Sequence, residues 1–382
     1  MDFSFTEEQE MLRESLSRML ADAYSFDVRR KIVASEEGFS REIWGKLAEL
    51  GVFAMPFAEE DGGLGGGAVD TMVVMEELGR ALVIEPYLAT VVLAGGLLRH
   101  AGSAEQRAAH IGAIVGGEGV YTAGLYEAAG RFDPFHVAAK AEKTGDGYRL
   151  TGEKTFVPFG GAADHLIVSA RVSGATADRD GIGLFLVPAS AAGLTRRPYR
   201  TVDGARAAEV RLDGVEVGAD AVLGTPGKAA DVIAAVVDEA TAAVCGEAVG
   251  VMTRLHELTL DYAKERKQFG QPISRFQVIQ HQLVEMMIAK EEAISTTYMG
   301  TLKLGGNAGE RARAVSAAKA MAGKSGRALG QTAIQVHGGM GMTWEMTAPH
   351  YFKRLTAIEQ AFGDTEWHLK RFSSAGRTKA AA

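Results

Sequence analysis

The sequence predicts an α+β fold: a helical region first, a β-sandwich or barrel in the middle, and a four-helix bundle at the end. Three observations predict it. Apolar residues recur at helical spacing through the first 120 residues, the period shortens to two between 121 and 227, and long helical periodicities return from 228 to 382. These changes place the domain boundaries at 1–120, 121–227 and 228–382.

In the first region, Thr6 and Gln9 form a capping-box pattern ahead of Met11, Leu12, Leu16 and Leu20, which share one helical face. The spacing predicts further helices over Arg41–Leu50 and Asp70–Ala81. The glycine-dense run from Pro56 to Gly67 between them reads as a connector. In the middle region, Tyr148–Gly152, Leu166–Ser169, Gly183–Val187 and Ala208–Leu212 read as strands, with Gly145-Asp146-Gly147 and Asp213-Gly214 as turns. In the last region, 229–266, 276–304 and 312–336 are predicted helices, broken at Pro272 and at Gly305-Gly306-Asn307.

The chain has 382 residues, 47% of them hydrophobic and 23% charged, which suits a folded globular protein with a substantial core. A net charge of −7 argues against nucleic acid and anionic membrane as partners. A single cysteine, Cys245, excludes an intrachain disulfide and a cysteine-rich metal site; its alanine and valine neighbours mark it as a core residue. His281 and His337 do not form a ligand pattern, so no metal is expected. The Met286-Met287 pair reads as core. The acidic start, Met1-Asp2-Phe3-Ser4-Phe5-Thr6-Glu7-Glu8, is unlike a signal or transit peptide, and the apolar run 88–98 is short for a bilayer. The expected location is the cytoplasm.

Two motifs carry the chemistry. The first is Glu265-Arg266-Lys267-Gln268-Phe269-Gly270-Gln271-Pro272-Ile273, followed by Phe276-Gln277. The second is Gln335-Val336-His337-Gly338-Gly339-Met340-Gly341, followed by Tyr351-Phe352-Lys353-Arg354. Taken singly, Arg266 is a solvated charge at a helix end and Gly338-Gly339 a helix cap. Together, in this order, they resemble the acyl-CoA dehydrogenase family over essentially the whole chain. The run from Phe352 to Asp364 is most similar to small subunits of heteromeric members, the pimeloyl-CoA dehydrogenase type among them.

The resemblance implies FAD, an acyl-CoA substrate, α,β-dehydrogenation, an electron-transferring flavoprotein as acceptor, and a tetramer of one or two kinds of subunit. It also implies that each FAD is shared between subunits. Arg266 would pair with the pyrophosphate, Phe269 would pack on the adenosine end, and Gln268, Gln277 and Gln335 would offer neutral hydrogen bonds. Gly338 and Gly339 would let the backbone approach the phosphates.

The half that would hold the flavin ring departs from the family pattern. The family's Leu-Thr-Glu-Pro…Gly-Ser-Asp segment reads Leu125-Tyr126-Glu127-Ala128-Ala129-Gly130-Arg131-Phe132-Asp133 here. Its Trp-Ile-Thr-Asn-Gly segment reads Phe156-Val157-Pro158-Phe159-Gly160. Two hydroxyls are replaced by rings, and Pro158 brings no N–H. Phe132, Phe156 and Phe159 are expected to pack into the space a flavin would fill. The family's glutamate base aligns with Gly363, and an alternative base position falls near Ala240. The nearest acids, Asp364 and Glu239, are each one residue away, about 100° around a helix. Their plainer roles are an N-cap and a helix-surface acid.

The expected function is therefore a subunit of a heteromeric acyl-CoA dehydrogenase that lacks the base and lends the adenosine-diphosphate half of its FAD site to a partner. The rival readings are an active homotetramer using Asp364 or Glu239, and a scaffold pseudo-enzyme. Substrate size is left open among medium-chain, dicarboxylic and steroid-derived thioesters.

Overall fold

The computed structural model of the chain describes residues 5–377. The helical, β and helical regions follow in the expected order. Helix α1, Glu7–Ala23, begins on the predicted capping box: the Thr6 side chain accepts from the Gln9 amide, and the Gln9 side chain accepts from the Thr6 amide. Helices α2 (Phe26–Ala34), α3 (Arg41–Glu49) and α4 (Ala68–Arg80) follow. Ser40 caps α3 by accepting the Ile43 N–H. The apolar run is a π-helical turn at Leu88–Ala94 continuing into α5, Gly95–Ala101, and both are largely buried. A second capping box, Ser103 with Gln106, starts α6, Ala104–Val115.

The middle region is one eight-stranded mixed sheet. Its strands are β1 (Tyr121–Gly124), β2 (Lys140–Thr144), β3 (Gly147–Pro158), β4 (His165–Arg171), β5 (Ile182–Pro188), β6 (Leu194–Arg200), β7 (Arg206–Val217) and β8 (Val222–Leu223). The order is β6-β7-β3-β2-β4-β5-β8, with β1 parallel to β4. The sheet curls on itself, so Leu150 and Val157 of β3, Val210 and Leu212 of β7, Val168 of β4 and Phe185 of β5 share one core.

Helix α7, Ala230–Glu265, opens the last region. A short hairpin follows, β9 (Lys267–Gln268) and β10 (Gln271–Pro272), then α8 (Gln277–Leu302) and α9 (Ala308–His337). Asn307 caps α9 by accepting the Glu310 N–H. After a 3-10 turn, Gly338–Met342, the bundle's remaining side is filled by two helices in succession, α10 (Ala348–Gln360) and α11 (Thr365–Arg377). Cys245 is buried as expected, and burial pushes its thiol up to about 12. Of the methionine pair, Met286 is core but Met287 is exposed, because consecutive residues on α8 diverge by about 100°.

By its contacts the chain divides into two compact units. One comprises residues up to Lys31, Ala68–Val83 and Thr241 onward; the other comprises Ile32–Gly67 and Ile84–Ala240. Among the described residues no helix is long and apolar enough to cross a membrane, and none form a group of three or more metal-ligating side chains.

Candidate functional site

The expected nucleotide contacts gather at the C-terminal ends of α7 and α9, within the first unit. The Arg266 amide continues the α7 ladder by donating to Tyr262 O at 2.8 Å, and Arg266 O accepts from Ile273 N at 2.8 Å, closing the base of the hairpin. The Arg266 side chain is exposed and makes no ion pair or hydrogen bond among the described residues. Its fork of donors is open to a ligand.

The hairpin turn is Phe269-Gly270, and both residues have positive φ, +52° and +77°. This is the backbone of a type I′ turn, for which Asn-Gly is the favoured sequence. Phenylalanine is a poor choice there, and its ring is 91% exposed. Within the chain the ring meets Phe276 edge-on at 6.1 Å, a small gain against a strained backbone and an apolar ring left largely in solvent, which points to a further contact made with something else.

On α9, Gln335 is exposed and its carbonyl accepts from the Gly338 amide. Gly338 has φ +60° and ψ −139°, a region closed to residues with a Cβ. Nothing lies within 4 Å of where a Cβ would stand on Gly338 or Gly339, so their backbone is reachable from outside. Gln268 and Gln277 are exposed at the hairpin and at the start of α8. A free guanidinium, an exposed ring, neutral amides and bare glycine backbone are a donor set that fits a nucleotide diphosphate. This is the part of FAD that the chain's residues suit.

The two ends are joined by residues that sequence reasoning passed over. The rings of Tyr262 and His337 stack at 4.4 Å with an interplanar angle of 24°, and the Tyr262 hydroxyl donates to His337 O at 3.3 Å. One signal was available: Tyr262 precedes Arg266 by four residues and shares its helix face.

The segments expected to face a flavin ring lie in the second unit. Glu127 is buried and accepts from Lys154 Nζ at 2.7 Å and from the amides of Ala138 and Ala139. Burial opposes its ionisation, but the Lys154 ammonium and the two amides outweigh that and hold the carboxyl below its usual range. The expectation that Phe132, Phe156 and Phe159 all pack inward holds for one of them. Phe159 is buried and meets Phe39 edge-on at 6.2 Å. Phe156 is 46% exposed at φ +50°, because the β3–β7 register shifts between Lys154 and Val157 and turns its side chain out. Phe132 is half-buried. Pro158 contributes only a carbonyl, which the Thr122 hydroxyl occupies at 2.5 Å.

The turn at Gly363, where the base is expected to align, has no room for a side chain. Gly363 has φ +112°, and a Cβ there would stand 2.7 Å from Trp367 Cε3 and 3.0 Å from His368 Nε2. Its carbonyl is held by buried Lys319, whose Nζ donates to Gly363 O at 2.7 Å and to Glu359 O at 3.0 Å. His368 donates from Nε2 to Phe362 O at 3.1 Å, and its Nδ1 faces Ser316 Oγ at 3.3 Å. Burial, with Lys319 and Arg371 adding, drives His368 down to about 3, so the ring is neutral. Asp364 caps α11, accepting the Trp367 N–H at 2.8 Å. Glu239 accepts from Arg99 Nη2 at 2.5 Å and is 2.9 Å from His100 Nε2; beside it, Ala240 is fully buried. Each nearby acid already has a partner.

Three family models match in series: the acyl-CoA dehydrogenase N-terminal domain over residues 6–118, the middle domain over 123–215 and the C-terminal domain over 230–375. A probable acyl-CoA dehydrogenase of Bacillus subtilis, YngJ, is 32% identical, the match covering 96% of this chain and 97% of the relative. The ChsE4-ChsE5 complex from Mycobacterium tuberculosis is similar in structure, with a TM-score of 0.90 at 28% identity over 100% of both chains. A Tcur3481-Tcur3483 steroid ACAD variant gives 0.89 at 29% identity, covering 98% of this chain and 99% of the other.

Proposed function

This chain belongs to the acyl-CoA dehydrogenase family, FAD-dependent oxidoreductases that act on the CH–CH bond of acyl-CoA thioesters, and we propose that it serves there as the subunit without a base. In this reading it lends Arg266, Phe269 and the Gln335–Gly339 turn, with Gln268 and Gln277, to an FAD held chiefly by a partner subunit. The flavin supplies the hydride acceptor when bound. The guanidinium of Arg266 neutralises the diphosphate, the bare backbone at Gly338 and Gly339 admits it closely, and Phe269 covers the adenosine end. The partner supplies the carboxylate that takes the α-proton.

One observation carries the reading: a side chain at Gly363 would collide with Trp367 and His368. A base needs reach to the substrate's α-carbon, and this turn has been closed around a glycine. The likeness to a two-component steroid ACAD supports a steroid-derived thioester as the assembly's substrate, in the cytoplasm, with an electron-transferring flavoprotein as acceptor.

The visible spectrum of the isolated chain tests the proposal. A colourless protein that gains flavin absorbance only with a second subunit is expected. A yellow protein that bleaches on adding acyl-CoA would mean that this chain is an active homomer, with Asp364 or Glu239 as its base.

A further inference from the structure

The two segments proposed to face the nucleotide sit on different helices, and a stacked pair of rings joins them. The hairpin that presents Arg266 and Phe269 has two strands of two residues each, too short to set its own orientation. It inherits its direction from the last turn of α7, where Tyr262 O accepts the Arg266 N–H. The Gly338 turn in its turn inherits its direction from His337, the last residue of α9.

Tyr262 and His337 lie 75 residues apart and are both stacked and hydrogen-bonded. The bond satisfies His337 O, one of the terminal carbonyls that α9 leaves without an intrahelical partner. His337 is buried, and its Nδ1 lies 2.8 Å from Ala333 O. That carbonyl is an acceptor, so the proton is on Nδ1 and the ring's orientation is fixed. Burial also lowers the pKa of His337, so a neutral ring faces Tyr262 at neutral pH.

We infer that Tyr262 and His337 are positioning residues, a clamp that registers the Arg266 hairpin against the Gly338-Gly339 backbone so that both address one diphosphate. The inference rests on the reading that this end of the chain takes the adenosine-diphosphate half of FAD. Their part is to hold the residues proposed to meet the nucleotide. A guanidinium binds a diphosphate through paired bonds whose geometry tolerates little error, so a hairpin free to swing would keep its charge and lose its fit.

The test is ADP binding to the full chain by calorimetry, below the melting temperature of each variant. Arg266→Ala reports on the assignment of the nucleotide half, and Tyr262→Leu reports on the clamp. Tyr262→Phe keeps the stack. The expected pattern is about a tenfold or greater loss of ADP affinity in both Arg266→Ala and Tyr262→Leu, with most of it recovered in Tyr262→Phe. General destabilisation would not follow that pattern. If Tyr262→Leu does not fold, His337→Ala replaces it. Wild-type affinity in Tyr262→Leu alongside a loss in Arg266→Ala overturns the clamp and leaves the nucleotide assignment standing. No binding by the wild-type chain at millimolar ADP, or binding indifferent to Arg266→Ala, overturns the assignment and the clamp with it.

Discussion

At Phe269 one side chain separates what the fold wants from what the proposed function wants. Its φ of +52° suits asparagine far better than a bulky ring, and the ring stays 91% exposed although Phe276 meets it edge-on. Phe269→Asn is therefore expected to stabilise the isolated chain, by on the order of 1 kcal/mol, while lowering flavin retention in the assembled enzyme. Urea unfolding and the flavin absorbance of the purified assembly measure the two effects. A variant that loses stability and keeps its flavin would remove Phe269 from the site. Arg266, Gln268, Phe269, Gln277, Gln335, Gly338 and Gly339 were all legible as candidates because their motif spacing is local. The Tyr262–His337 contact was not, because it joins residues that no local pattern links. The fate of Gly363 was half legible: the missing carboxylate is visible in the sequence, whereas the collision that would exclude one depends on where α11 places Trp367 and His368.

At the scale of elements, the α10–α11 turn and the α1–α4 contact each make a measurable prediction. The turn carries positive φ at Phe362 and Gly363, and Lys319 bonds the Glu359 carbonyl before it and the Gly363 carbonyl within it. Gly363→Glu is expected to lower stability by about 2 kcal/mol or more and to create no dehydrogenase activity, because the new Cβ meets Trp367 and His368. Lys319→Met would leave two buried carbonyls unpaired, a loss on the order of 3 kcal/mol in urea unfolding.

Between α1 and α4, Glu76 is only 7% exposed and accepts from Arg13 Nη2 at 3.0 Å, on the wall of a cavity of about 660 Å³ shared with Glu77, Arg80 and Tyr298. Burial raises its pKa to about 7, against the opposing pull of Arg13 and Arg80 and with Glu77 adding to the rise. The folded state therefore binds the proton more tightly than the unfolded chain does. Stability attributable to this group is full below pH 4.5 and declines as pH rises through about 7. Glu76→Gln should flatten that decline, by on the order of 2 kcal/mol between pH 5 and pH 8. An unchanged pH slope in the variant would show that Glu76 ionises freely. These elements also show what periodicity reads well and badly. The stripe of α1 and its capping box were plain in the sequence, as were the apolar cores of β3, β4, β5 and β7. Strand β6, Leu-Thr-Arg-Arg-Pro-Tyr-Arg, was missed because an edge strand facing solvent has no buried side to write into its sequence. Helix α2 is only nine residues long, too short to repeat a helical stripe over several turns.

For the whole molecule, the proposed asymmetry between the two halves of the site becomes a question of stoichiometry. A homotetramer with complete sites carries one flavin for each chain. A chain that offers the nucleotide half but not the ring half completes a site only with a partner, and each partner needs one such neighbour. The purified assembly should then hold half as many flavins as polypeptides, and a second copy of this chain should not substitute for the partner. Flavin absorbance against total protein, with subunit masses from native mass spectrometry, gives the ratio directly. One flavin per polypeptide would mean that the β unit accepts an isoalloxazine despite Tyr126, Phe132 and Pro158, and the base-lacking role would fail with it. A flavin count of half, unchanged by Arg266→Ala, would instead leave this chain as scaffold, because the Arg266 guanidinium would then contribute nothing to holding the cofactor.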